Sequence, residues 1–171
     1  MRELHIPNQI HAELRACLRW RGVEEVAFLF TGTKGDAEHL HAEEIFCVPP
    51  DGFDHQSDVH VSLTDETRAH VIARAWQLGG PLVEAHSHRD GPPMFSISDL
   101  LGFQDWVPHV RWRLRGRTYV ALVFAPGGFD ALVWEAPGDA PSSLGTLTGA
   151  TGQPRTPSGL TLRELAAGRY R

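Results

Sequence analysis

The apolar positions of this chain fall into blocks that alternate between strand-like and helix-like spacing. Residues 3 to 7 suit a short strand. After Pro7 and Asn8, the positions Ile10, Leu14, Cys17 and Leu18 recur at helical spacing, and Gly22 marks the end of that helix. The run VEEVAFLFTG is mostly apolar, has strand length and closes on Thr31 and Gly32, as expected of a strand buried on both faces. Lys34 to Asp36 reads as a hairpin turn. Beyond it, from Ala37 to Val48, His39, His41 and Glu43 alternate with apolar or small residues as in a half-exposed strand. PPDGFDHQSD, residues 49 to 58, is a polar, turn-rich loop. Val59 to Leu63 alternates again, and Thr64 with Thr67 opens a helix to about Leu78, with Ala69, Ile72, Ala73 and Trp76 on its inner side.

Gly79 and Gly80 stop that helix and feed PLVEAHSH, a buried strand. The Gly91 to Pro93 break ends it. Ser96, Asp99 and the apolar run that follows predict a second helix through Leu100, Leu101, Phe103 and Trp106 as far as Pro108. In VRWRLRGR, an extended chain would put Arg111, Arg113, Arg115 and Arg117 on one face and Trp112 and Leu114 on the other, the simplest reading being a solvated face. Tyr119 to Phe124 and Ala131 to Trp134 are apolar strands joined by the hairpin signature APGGFD. From residue 136 the composition turns to Pro, Gly, Ser and Thr. The expected division is therefore a domain over 1–135 and a flexible tail over 136–171, with one short helix at Leu160 to Ala167. This order of elements predicts an α/β domain, a mixed twisted sheet flanked by helices.

Composition narrows the classes. With 171 residues, 42% of them hydrophobic, the chain suits one domain with a real core. A net charge of −5 and a pI near 6.0 argue against nucleic-acid binding. Charges break the N-terminal stretch, so neither a signal peptide nor a membrane span is expected there, and a cytoplasmic location is the expectation. Cys17 and Cys47 form no C-x-x-C, so neither a disulfide framework nor a cysteine zinc site is indicated. Lys34 is the lone lysine among many arginines, most simply a GC-rich bacterial coding bias.

The candidate chemistry lies between Glu84 and Asp99. His86 and His88 stand two apart on a strand, so their side chains share a face and both imidazoles can reach one ion. Glu84 shares that face and either supports a histidine from behind or meets solvent. The strand end and the helix start that carries Asp99 would converge. Two imidazoles and one carboxylate are a common ligand set for a catalytic zinc, which keeps a fourth position for water. A bare H-x-H among ten histidines is weak, as is a lone capping box; the combination carries the weight. His39 and His41 repeat the H-x-H without a following Ser-x-x-Asp and read as surface residues.

The pattern H-S-H, seven residues, S-x-x-D, formed by His86, His88, Ser96 and Asp99, resembles the signature of the JAMM (MPN-plus, JAB domain) metalloproteases. The resemblance covers about Leu4 to Glu135. Arg89 departs from it, standing where most members have proline. It implies a cytidine-deaminase-like layered fold and one Zn²⁺ per chain, held by His86, His88 and Asp99. It also implies a Ser96 hydroxyl that stabilises the oxyanion and a glutamate at the start of the first long strand as general base. For that base the choice lies between Glu24 and Glu25. Aligning Ala27 with the family's small residue and Gly32 with its closing glycine selects Glu25, although Phe28 then replaces a frequent glycine. Phe53 and His55, in the loop that borders the family's substrate groove, are candidate substrate contacts. The implied activity is cleavage after the C-terminal tail of a ubiquitin-like protein, in a bacterial conjugation or antiphage defence system. The alternatives are a peptidase trimming a sulfur-carrier tail and a non-catalytic MPN scaffold. A true cytidine deaminase would need the P-C-x-x-C that is missing here, and a barrel amidohydrolase a longer chain.

Overall fold

A computed structural model of the chain describes residues 1–33, 38–135, 138 and 140–170. The turn expected at Lys34 to Asp36 lies outside the described residues. In chain order the elements are β1 (Glu3–His5), α1 (Asn8–Cys17), β2 (Val26–Gly32), β3 (His39–Cys47), β4 (Phe53–Gln56), β5 (Val61–Leu63), α2 (Asp65–Leu78) and β6 (Gly79–Ser87), followed by α3 (Ile97–Arg113), β7 (Tyr119–Ala125), β8 (Gly128–Trp134), β9 (Thr146–Thr148), β10 (Pro154–Arg155) and α4 (Leu160–Ala166). The fold is α/β. Eight strands form one mixed sheet in the order β10-β9-β1-β3-β2-β6-β7-β8, and β4 pairs with β5 as a separate hairpin. The four helices flank this sheet.

Strand parity divides the core. In β2, Ala27 and Leu29 join Leu4, Leu14 and Val83 on the face covered by α1. Val26, Phe28 and Phe30 join Val71, Leu82, Phe103 and Val110 on the opposite face, covered by α2 and α3. Because β2 runs antiparallel to β6 with Val26 opposite His86 and Phe28 opposite Glu84, even-numbered residues of both strands share the face toward α2 and α3.

Four expectations are corrected. The second motif helix does not end at Pro108: α3 runs through it to Arg113, with Pro108 and Gln104 both on the exposed side, where a carbonyl without its helical donor is not buried. The arginine stripe therefore does not exist as an extended face. Arg111 is buried at the helix end, its guanidinium donating to the carbonyls of Gly116 (3.0 Å), Arg117 (3.1 Å) and Glu135 (2.8 Å), while Trp112 is exposed and Leu114 buried, as helical spacing dictates. Nor do residues 140–170 form a flexible tail. Their β9 pairs in parallel with β1, β10 pairs with β9, and Leu144 and Leu147 are buried in the α1-side core. In α2 the inner side is also rotated: Val71, Ile72 and Ala75 meet the sheet, while Ala69, Ala73 and Trp76 border a cavity.

Candidate metal centre

β6 delivers His86 from a largely buried strand, and His88 follows one residue beyond its end. α3 delivers Asp99 through a reciprocal cap. The Ser96 hydroxyl accepts from the Asp99 N–H (3.1 Å) while the Asp99 carboxylate accepts from the Ser96 N–H (2.7 Å) and its hydroxyl (2.8 Å). The two elements meet as their local patterns require. His86 Nε2 lies 3.2 Å from His88 Nε2, and Asp99 Oδ2 lies 3.4 Å from the first and 3.2 Å from the second. A tetrahedral zinc with bonds near 2.0 to 2.1 Å separates its ligand atoms by about 3.3 Å, so the trio fits one such ion. Among the described residues, this is the group of metal-ligating side chains that converges, and it could hold a metal ion.

His86 and Asp99 favour each other's charged forms. Burial opposes a charge on His86, but the Asp99 carboxylate beside it, with Glu84 and Glu24 further off, raises its pKa to about 9. Burial likewise pushes Asp99 up, and His86, His88 and the Ser96 N–H overcome it and hold the carboxyl well below the usual range.

The fourth group at the centre is Glu24, not Glu25. Extending the β2 to β6 register by two residues places Glu24 opposite His88 on the shared face. Glu24 Oε1 lies 3.6 Å from His88 Nε2, the residue is 4% exposed, and its Oε2 is buried without a hydrogen-bond partner. Burial raises its pKa, against the pull of His86 and His88. Its backbone is pinned by the β4–β5 hairpin, the Glu24 N–H donating to the Ser57 carbonyl (2.8 Å) and the Gln56 side chain to the Glu24 carbonyl (2.8 Å). Glu25 faces the other way. Its N–H donates to the Ser87 hydroxyl (3.2 Å), and its carboxylate lies 3.6 Å from Arg21 and accepts from Gln56 (3.4 Å). Strand alternation thus brings Glu24 to the trio and turns the expected Glu25 away from it.

The Ser96 hydroxyl donates to the Asp99 carboxylate (2.8 Å) and so orients it. Glu84 is half-buried and borders the cavity that adjoins His86 and Asp99. Its carboxylate accepts from the Trp106 indole N–H (3.1 Å) and from the Tyr119 hydroxyl, and burial raises the pKa of both Glu84 and Tyr119.

A cavity of about 1030 Å³ extends from His86 and Asp99 between α2 and α3, walled by Trp76, Phe103 and Trp106, with Arg68 at its side. Phe53 packs into the core and His55 is exposed with its ring 5.5 Å from that of His60; neither lines the cavity. The hairpin's other strand does, through His60 to Leu63, and His60 Nδ1 lies 2.9 Å from the Ser98 hydroxyl at the start of α3. No local pattern marks His60, because its place follows from the docking of a hairpin on a helix. No family model matches this chain, and no curated protein matches its sequence. Among the described residues, no helix is long and apolar enough to cross a membrane.

Proposed function

We propose that this chain is a zinc-dependent peptidase or isopeptidase of the JAMM type, with the JAB fold, that cleaves after the C-terminal tail of a ubiquitin-like protein. The observation that carries the reading is the buried Glu24 carboxylate, with an unpartnered oxygen, set against a converged His86, His88 and Asp99 trio. Three ligands plus a separate carboxylate are the parts list of a hydrolytic zinc site, and the H-S-H, seven residues, S-x-x-D spacing supplies the family resemblance.

A zinc ion held by His86, His88 and Asp99 would supply Lewis acidity, lowering the pKa of water from 15.7 toward about 7 and polarising a carbonyl. Glu24 takes the proton of the attacking water and returns it to the leaving amine, and burial raises its pKa, the direction that makes a carboxylate a better proton acceptor. Asp99 stays ionised and the histidines neutral, as ligands must. Ser96 holds the carboxylate of Asp99 in place. The cavity between α2 and α3 gives an extended peptide room beside the reacting carbonyl, and its aromatic walls favour apolar side chains there.

The test is metal content by mass spectrometry of the purified chain and of Asp99→Ala, joined to cleavage of a linear fusion in which a ubiquitin-like protein precedes a reporter. About one zinc per chain, its loss in the variant, and release of the reporter only by the zinc-loaded chain are expected. Absence of metal from both proteins would sink the reading.

A further inference from the structure

The residue just before the Ser96 cap is Phe95, fully buried, with its ring 5.6 Å from that of His86 and 5.5 Å from that of Phe103. It lies between two ligands. A shift of its backbone moves the start of α3, and hence Asp99, relative to His86. Both of its backbone groups are held by the C-terminal segment. The Phe95 N–H donates to Thr161 Oγ1 (3.0 Å), and the Phe95 carbonyl accepts from the Tyr170 hydroxyl (2.6 Å). Two residues earlier the Pro93 carbonyl accepts from the Ser158 hydroxyl (2.6 Å). The loop between His88 and Ser96, rich in Gly and Pro, thus has three of its backbone groups tied to one distant stretch of chain.

That stretch is itself anchored. Asp130 on β8 is 1% exposed and accepts from the Gly159 N–H (2.9 Å), the Thr161 N–H (2.9 Å) and the Thr161 hydroxyl (2.6 Å). α4 has no side-chain cap of its own, so Asp130 supplies one from the sheet. Thr161, fully buried, therefore passes a hydrogen-bond chain from the sheet to Phe95.

We propose that the segment from Ser158 to Tyr170 is a clamp on the ligand-bearing loop, in which Thr161 and Tyr170 are positioning residues that act through Phe95 on Asp99 and His86. Neither touches the trio. The clamp is a property of the metal-free chain, and its consequence for metal rests on the reading proposed above.

The experiment compares full-length wild type, Tyr170→Phe, Thr161→Val and Thr161→Ser. Amide hydrogen exchange of residues 93–100 is measured without metal, and zinc affinity by competition with a chromophoric chelator. Exchange over 93–100 is expected to quicken in Tyr170→Phe and Thr161→Val and to return toward wild type in Thr161→Ser. Zinc affinity is expected to fall about tenfold in the first two variants and to recover in the third. Thermal melts separate this from general loosening, since Tyr170→Phe removes one half-buried hydroxyl and keeps the ring. Exchange over 93–100 and zinc affinity both unchanged in Tyr170→Phe and in a folded Thr161→Val would overturn the clamp, and if Thr161→Val does not fold, Tyr170→Phe decides alone. A wild type that binds no zinc would instead overturn the metal reading, and the exchange data would still judge the clamp.

Discussion

At the scale of single residues, the centre turns on which neighbouring glutamate faces the histidines. Glu24→Gln removes the buried carboxylate and leaves all three ligands, so zinc content should persist while the turnover of a fusion substrate drops by about 10² to 10⁴. Glu25→Gln, on the α1 face, should stay within a few-fold of wild type. The reverse ranking of the two turnover rates would place the base on Glu25 after all. His86 sets the pH behaviour. Its folded pKa of about 9 stands above the ordinary 6.5, so the ion pair stabilises the metal-free fold fully below pH 6.5 and loses that effect as pH climbs through 9. The amount at stake is on the order of a few kcal/mol. Zinc must displace that proton, so its affinity should rise about tenfold per pH unit up to pH 9 while the metal-free protein grows less stable. Denaturant melts and chelator competition from pH 6.5 to 9 read the opposing trends; a flat zinc affinity would show that His86 is neutral throughout. The convergence of His86, His88 and Asp99 was legible in the sequence because both of its parts are local, a two-residue strand repeat and a three-residue cap. Glu24 was not, because VAFLF is apolar on both faces and conceals the parity that separates it from Glu25.

At the scale of elements, α3 shows where local rules stop. Its beginning could be read from Ser96 and Asp99, whose reciprocal cap is specified within four residues. Its end could not. Pro108 argues for termination, yet the helix continues because Phe103, Val107 and Val110 bury a stripe against the sheet, and that packing outweighs one missing hydrogen bond on the exposed side. The alternation of Arg and apolar residues in VRWRLRGR has the same ambiguity. Period two would put Trp112 and Leu114 on one face and a helix puts them on opposite faces, and over so few residues the local pattern does not choose; what settles the matter is the carbonyl cluster around the Arg111 guanidinium, made of groups up to 24 residues away. The consequence reaches the cavity. Arg117 is drawn to the Ala75 carbonyl at the end of α2 (2.9 Å), and its guanidinium and that of Arg115 sit over the Trp76 ring, at 5.2 and 5.1 Å from its centre. The residues that looked like a basic surface thus join α2 to α3 and fix one wall beside the centre.

At the scale of the molecule, composition and structure divide the chain differently. Pro, Gly, Ser and Thr after residue 135 suggested a flexible tail, because such composition rarely buries enough apolar area to fold alone. This stretch does not fold alone; it completes a sheet that already exists. Three short strands at that edge, β10, β9 and β1, lean on one another and on β3, so the three-residue β1 has a partner on each side. A chain ending at Glu135 would bare one edge of β1, withdraw Leu144 and Leu147 from the core and leave the buried Asp130 carboxylate without its donors from α4. Each loss is of the order of 1 to 3 kcal/mol, against a total stability of about 5 to 15 kcal/mol for a domain. The truncated chain should therefore melt without a cooperative transition, or at a temperature far below that of the whole chain, and should hold no zinc. A truncated protein that melted cooperatively near the wild-type temperature would restore residues 1–135 as a self-sufficient domain. In that case the strands and helix beyond it would be ornament rather than frame.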